Sequence, residues 1–195
     1  MYRFMYFLMF IGFRILFPCR VINRKNFPKK QPMIIVCNHY SGVDAAYIYE
    51  YFYEKKYTIA KKEIFQNKIL GMMYRWVGGF PIDREKVDLT AIKTSLRYLK
   101  DGYKLVVFPE GTRNIQGDEL QDLKNGAAML ALKAKVPILP MHIEKHAKMF
   151  RMNKIYVGKP FDLAQFYDQK LSSETLDQAS EVMAQKLVEV KNTHK

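Results

Sequence analysis

A chain of 195 residues with 49% hydrophobic content can bury a domain-sized core, which excludes a disordered polypeptide and points to one α/β domain. Its 32 Lys and Arg against 19 Asp and Glu leave a formal charge of +13, an excess that suits a phosphate-bearing partner such as nucleic acid, anionic lipid or an acidic carrier. The basic residues are dispersed rather than gathered in one arm, which argues against nucleic acid, and Cys19 and Cys37, with no CxxC or Cys/His cluster, support neither a zinc site nor a disulfide scaffold but two free thiols in a reducing cytoplasm.

Residues 2–17 are almost all large and apolar, and Pro18 ends the run. No small-residue cleavage site follows, so a signal peptide fits poorly. The run is also short of the ~20 residues that cross a bilayer. Arg3 and Arg14 are eleven positions apart, which at about 100° per residue puts them within about 20° on one helix face. A basic stripe on an aromatic-rich helix predicts a segment lying in the membrane interface, residues 1–19, ahead of a folded domain at 20–195. The competing placement is a helix packed on the domain's own core. Phe and Met point in nearly every direction, more than one core face can cover, which favours the interface.

Met33–Cys37 is a short apolar run behind Pro32 and predicts a buried strand. Asp44 then opens an apolar-aromatic helix to about Tyr53, followed by a strand at Tyr57–Ala60 and a helix at Ile69–Val77 closed by Gly78 and Gly79. A strand fragment follows at Phe80–Ile82. Asp88 can cap a helix whose Leu89, Ile92, Leu96 and Leu99 share a face, with Gly102 as its stop. Lys104–Phe108 reads as a strand, Gly126–Ala134 as an Ala-rich helix, and Pro137–Ile143 and Lys154–Val157 as strands. Ser173 can cap a last amphipathic helix using Leu176, Met183, Leu187 and Val190. Strands alternating with helices imply a mainly parallel sheet flanked by helices, and such sheets bind ligands at the carboxyl ends of their strands.

Three polar groups fall at those ends. Ile-Val-Cys-Asn-His-Tyr-Ser-Gly-Val-Asp follows the first buried strand and carries His39 and Asp44. An imidazole suits proton transfer near neutrality, and a carboxylate five positions on can hold one ring nitrogen and stabilise the imidazolium. Alone, His39 could equally be a hydrogen-bonded loop histidine. No well-placed Cys or Ser nucleophile accompanies the pair, since Ser41 is too near in a tight loop to meet the ring in line, so a base acting on a substrate hydroxyl fits better. Phe-Pro-Glu-Gly-Thr-Arg at 108–113 places Gly111, Thr112 and Arg113 as an anion cradle of backbone N–H, hydroxyl and guanidinium donors. Glu110, an acceptor only, would orient a loop amide or an arginine rather than touch phosphate. Arg84, at the end of Gly-Gly-Phe-Pro-Ile-Asp-Arg (78–84), could clamp the same anion or simply pair with Asp83 or Glu85. Lys61 and Lys62 read more readily as surface residues than as crevice residues.

Taken together these residues resemble the glycerolipid acyltransferase family. The family's first motif, Asn-His-x-Ser-x-x-Asp, matches Asn38, His39, Ser41 and Asp44. The motif around Gly-x-Pro/Ile-x-Arg is similar to Gly79–Arg84. Phe-Pro-Glu-Gly-Thr-Arg is whole at 108–113, and the final motif, Val-Pro-Ile-x-Pro, matches Val136–Pro140. Order and spacing agree from about residue 20 to about 160, with Asn114 standing where Ser is common. The resemblance implies a membrane-associated acyltransferase that moves a fatty acyl group from an acyl thioester, acyl-CoA or acyl-carrier protein, to the free hydroxyl of 1-acylglycerol 3-phosphate, giving phosphatidic acid. It implies His39 as base, Asp44 as its orienting partner, and Arg84, Gly111, Thr112 and Arg113 on the acceptor's phosphate, with Asn38, Ser41 and Glu110 in support. It implies no metal or resident cofactor, an anionic membrane surface as partner, and a peripheral or monotopic place on the cytoplasmic face of the membrane. Glycerol 3-phosphate or another lyso-lipid is the alternative acceptor, and a thioesterase is a more distant rival that leaves the cradle unexplained.

Overall fold

The computed structural model describes residues 11–52, 54–115 and 120–193. Seven strands form one sheet: β1 (Cys19–Ile22), β2 (Met33–Cys37), β3 (Lys56–Lys61), β4 (Gly79–Ile82), β5 (Lys104–Val107), β6 (Ile138–Ile143) and β7 (Asn153–Val157), in the order β1-β7-β6-β2-β5-β3-β4. Every neighbouring pair is parallel except β6 with β7. Among the described residues, besides a helical stretch at 11–16, the helices are α1 (Asp44–Tyr51), α2 (Lys68–Trp76), α3 (Leu89–Lys100), α4 (Gly126–Ala134) and α5 (Ser173–Asn192). The α/β expectation of a mainly parallel sheet between helices holds.

The core follows from strand alternation. In β2 all five residues are buried, yet successive side chains face opposite layers. Ile34 and Val36 join Leu105 and Ile138 beneath α3, α4 and α5. Met33, Ile35 and Cys37 join Val106, Leu139 and the α1 residues Tyr47 and Ile48 on the other side. A strand covered on both faces cannot afford polar side chains, which is why β2 was recognisable as an apolar run. Because β2, β5, β3 and β4 run parallel, the loops at 38–44, 108–113 and 83–88 leave the same edge of the sheet.

Several local expectations shift. Cys19, expected to close the 1–19 segment, and Arg20–Ile22, read as part of no element, form the edge strand β1, paired parallel with β7. The helix opened by Asp44 ends at Tyr51. Asp88 caps α3 as expected, accepting from Ala91 N at 2.9 Å, but the buried face is Ala91, Ser95 and Leu99, while Leu89 lies outside it and is exposed. The last helix is capped by Ser172 rather than Ser173, its side chain accepting from Thr175 N at 3.2 Å.

Residues 1–10 lie outside the described residues, and with them Arg3 and most of the expected interfacial helix. Residues 11–16 are helical. Phe13 packs on Tyr47 and Phe17, with ring centroids 5.4 and 5.3 Å apart, and both phenylalanines join the core. Arg14, expected to share a basic helix face with Arg3, forms an ion pair with the buried Glu50. Burial pushes the Glu50 carboxyl up, and Arg14 opposes that shift. The described end of the segment therefore packs on the domain, leaving Ile11 and Ile15 exposed. Among the described residues no helix is long and apolar enough to cross a membrane.

Candidate active site

The turn after β2 is built around one carboxylate. Asp44 is fully buried at the first position of α1. Its Oδ2 accepts from His39 Nδ1 at 2.8 Å, from the Tyr40 amide at 2.6 Å and from the Ser41 amide at 2.7 Å. Its Oδ1 accepts from Ser41 Oγ at 3.0 Å. The loop amides and the helix start thus need a carboxylate here whatever the chemistry, and the same carboxylate fixes the imidazole. With Nδ1 committed to Asp44, Nε2 is the nitrogen available to take a proton. The His39 side chain keeps 13% of its surface exposed.

Ser41 is a turn residue. Its hydroxyl donates to Asp44 and accepts from Val43 N at 3.3 Å, so it is spent on the loop and is no nucleophile. Asn38 exchanges two hydrogen bonds with Ile143 at the end of β6, 3.0 Å from its Nδ2 to the carbonyl and 2.8 Å from the amide to its Oδ1. This clamp ties the ends of two neighbouring strands and sets where the histidine loop departs.

Phe-Pro-Glu-Gly-Thr-Arg closes over the histidine from β5. The Phe108 ring stacks on the imidazole, centroids 4.2 Å apart. Glu110 accepts from the His39 amide at 2.9 Å, which is the loop-orienting role its acceptor-only chemistry suggested. Burial raises the Glu110 carboxyl, while the His39 and Gln121 amides pull it down. The Asn114 amide donates back to the His39 carbonyl at 2.7 Å, so the two loops are stitched on both sides of the histidine.

Of the expected cradle residues, Gly111, Thr112 and Arg113 lie on the 108–113 loop, and Arg84 reaches it from the loop after β4. Arg84 does not pair with Asp83 or Glu85. Asp83 takes Lys62 at 2.8 Å and Lys86 at 3.8 Å, and Arg84 reaches across to donate to the Gly111 carbonyl. Burial and the nearby charge of Arg113 lower the Arg84 guanidinium, opposed by Glu63. Two guanidiniums that feel one another across a loop suit an anion between them. Gly111 has φ +73°, a conformation that disfavours any side chain, and a Cβ there would meet the aliphatic part of Lys124 at 2.8 Å. Arg113 is exposed above the histidine turn, its Nη2 about 4.0 Å from where a Cβ on Gly42 would stand. Thr112 is exposed and donates to Gln121 at 3.3 Å, so it joins the loop but is held toward the 120s. Lys61 pairs with Glu63 at 3.6 Å and Lys62 with Asp83, the surface roles expected of them.

Two site features carried no sequence signal of their own. Lys124 is one lysine among many, and only the fold brings it over Gly111. The other is a groove of about 390 Å³ between α3 and α4, walled by Ile82, Ile92, Val107, Phe108, Met129 and Leu130, with Arg84, Gly111 and Lys124 at its rim. Phe108 forms its wall on one side and stacks on His39 on the other. An apolar trench, a cationic rim and a histidine–carboxylate pair thus share one edge of the sheet.

The family model described as Acyltransferase matches residues 18–144. The chain belongs to the acyltransferase family. It is similar to the 1-acyl-sn-glycerol-3-phosphate acyltransferase of Bacillus subtilis, 32% identical over 184 residues that cover 89% of this chain and 88% of that one. The enzyme of the same name from Streptococcus pneumoniae is 39% identical over 110 residues, 55% of this chain and 40% of that one. Among solved structures, the 1-acyl-sn-glycerophosphate acyltransferase PlsC of Thermotoga maritima superposes with a TM-score of 0.65 at 26% identity, covering 89% of this chain and 72% of that one. As an acyltransferase-family member the chain keeps the 38–44, 79–84 and 108–113 motifs at the carboxyl edge of the sheet, while Val136–Pro140 enters β6 beside β2, and Asn114, which departs from the common serine, contributes through its backbone.

Proposed function

We propose that this acyltransferase moves a fatty acyl group from a thioester to the free hydroxyl of 1-acylglycerol 3-phosphate, giving phosphatidic acid. The observation that carries the proposal is His39 held by Asp44 at 2.8 Å beside a rim that brings Arg84, Arg113 and Lys124 around Gly111. His39 Nε2 takes the proton of the acceptor hydroxyl as its oxygen attacks the thioester carbonyl. The tetrahedral adduct collapses, the C–S bond breaks, and the proton passes from the imidazolium to the departing thiolate. A thiol, with a pKa of about 8.5, leaves without prior protonation, so one base suffices. Arg84 and Arg113 hold the phosphate, and the apolar groove takes an acyl chain. The donor is acyl-CoA or acyl-carrier protein, both acidic and both suited to a chain of charge +13. The enzyme works at the cytoplasmic face of the membrane, a placement supported by two free thiols and by a lipid acceptor.

The test is transfer from a labelled acyl donor to a panel of acceptors, with products separated by chromatography. Phosphatidic acid formed from 1-acylglycerol 3-phosphate is the expected product. Preference for glycerol 3-phosphate would change the acceptor, and fatty acid released without acceptor would make the protein a thioesterase.

A further inference from the structure

Helix α2 is amphipathic with its apolar stripe facing out. Ile69, Leu70, Met72, Met73 and Trp76 are 44–68% exposed, and Gly71 is its one buried residue. At about 100° per residue, Ile69, Met72, Met73 and Trp76 span about 100° of the surface, and Gly71 lies about 150° from their centre. The helix packs through its narrowest point. A Cβ on Gly71 would stand 3.0 Å from Phe65 Cα, so glycine lets the backbones touch there. A crossover helix ordinarily buries its apolar face on the sheet, and this one turns it to solvent. Lys68 and Arg75 are exposed and border the stripe on one side, with the Arg75 guanidinium held 5.1 Å above the Phe65 ring.

Its position ties it to the site. The turn that feeds α2, Lys62–Phe65, holds Asp83 through Lys62 at 2.8 Å, and Glu63 acts on the charge of Arg84. The outward stripe therefore starts next to the loop that carries a phosphate-rim residue.

From this juxtaposition of an outward apolar stripe, bordering cations and the Arg84 loop, we infer that α2 is a docking surface for a bilayer bearing anionic headgroups, set to deliver the acceptor's phosphate toward Arg84. The inference rests on the lyso-lipid acceptor proposed above. Isoleucine, methionine and tryptophan side chains at the level of the acyl boundary, with Lys and Arg reaching for headgroups, are what an interfacial helix requires. Lys68 and Arg75 also distinguish this occupant from a second copy of a chain that is itself strongly basic.

The chain supplies its own reporter, because Trp76 is its single tryptophan. The full-length protein is titrated with vesicles of phosphatidylglycerol and phosphatidylcholine, with vesicles of phosphatidylcholine alone, and with vesicles containing brominated chains. The expected result is a blue shift of Trp76 emission on anionic vesicles and quenching by the brominated lipid. Ile69→Asp and Met73→Asp should each weaken vesicle binding about tenfold, the weight of keeping one such side chain in water. Both variants should retain wild-type transfer to detergent-dispersed acceptor. Unchanged emission on vesicles that carry the protein overturns the inference, as does a Trp76 already shielded in a concentration-dependent dimer. Equal binding to pure phosphatidylcholine overturns the anionic assignment. Vesicle docking without any transfer would refute the proposed activity and leave the docking surface standing. Transfer without a Trp76 response would do the reverse.

Discussion

Asp44 serves two masters, and the two can be separated by substitution. It accepts from two backbone amides and the Ser41 hydroxyl while also holding His39. Asp44→Asn keeps an acceptor oxygen for the turn but offers the imidazole no full negative charge. It should fold and yet turn over about 10²–10⁴-fold more slowly, the range expected of a mispositioned base. Asp44→Ala strands two buried amides and should lower unfolding stability by about 2–4 kcal/mol in urea titration. His39→Ala should lose activity on the same scale as Asp44→Asn with little change in stability, since its ring is half of one hydrogen bond and the turn keeps the other three. Wild-type turnover by folded His39→Ala would remove the base from the mechanism. At the rim, Arg113→Ala should cut kcat/KM for a phosphate-bearing acceptor by about 10–100-fold, what one charge-assisted contact contributes, and leave the donor's KM nearly unchanged. An equal loss for both substrates would make Arg113 a structural residue.

Among the elements, the cap of α3 is also a brace for the site. Asp88 Oδ1 accepts from Ala91 N, and Oδ2 accepts from the Asp83 amide at 3.0 Å, closing the loop on which Arg84 rides. Asp88→Ala should cost about 1 kcal/mol of stability, typical of a lost N-cap, and raise the acceptor's KM because the Arg84 loop is released. A stability loss with an unchanged KM would confine Asp88 to capping. Such elements differ in how legible they were. Strands buried on both faces, a helix with a capped and partly inward apolar face, and an Ala-rich buried helix write their burial into the sequence, which makes β2, β5, β6, α3 and α4 readable. Edge strand β1, Cys-Arg-Val-Ile, is half-buried and mixes charge with apolar residues, which leaves no pattern of either period. Helix α2 was readable as a helix, but not in its orientation, because an outward apolar stripe has the same periodicity as an inward one. In the active site the three motifs were visible as polar groups after apolar runs. The Phe108 stack, the Lys124 overhang and the pairing of Arg14 with Glu50 depend on contacts distant in sequence and were not.

For the whole molecule, the buried titratable groups set a pH optimum of stability. The Lys56 ammonium, at the start of β3, donates to the Phe52 and Glu54 carbonyls, and burial pulls it down to about 8. Between that value and the ordinary lysine value near 10.4, the unfolded chain holds a proton the folded one has released, so stability rises with pH. Burial acts oppositely on the thiols. Cys19 is pushed up to about 12 and Cys37 is raised as well, so above about pH 9 the unfolded chain loses protons that the folded one keeps, and stability falls. Thermal unfolding from pH 7 to 10.5 should therefore show a maximum near pH 9. Lys56→Met should flatten the rising limb and spare the falling one. A monotonic fall from pH 7 in the wild type would show that Lys56 is not buried as a charge. The same burial should keep both cysteines slow toward iodoacetamide until the protein is denatured.

The pairing of β1 with β7 has a consequence in time. The Asn153 side chain holds the Pro18 carbonyl across 135 residues of sequence, and among the described residues β1 has no other strand beside it. At translation rates of about 5–20 residues per second, the ribosome needs on the order of ten seconds to supply that partner. Through that interval the apolar residues just before β1 are already made, while the strand that pairs with β1 does not yet exist. Whatever the newborn chain meets first, a chaperone or a bilayer, meets that stretch before the domain has closed behind it.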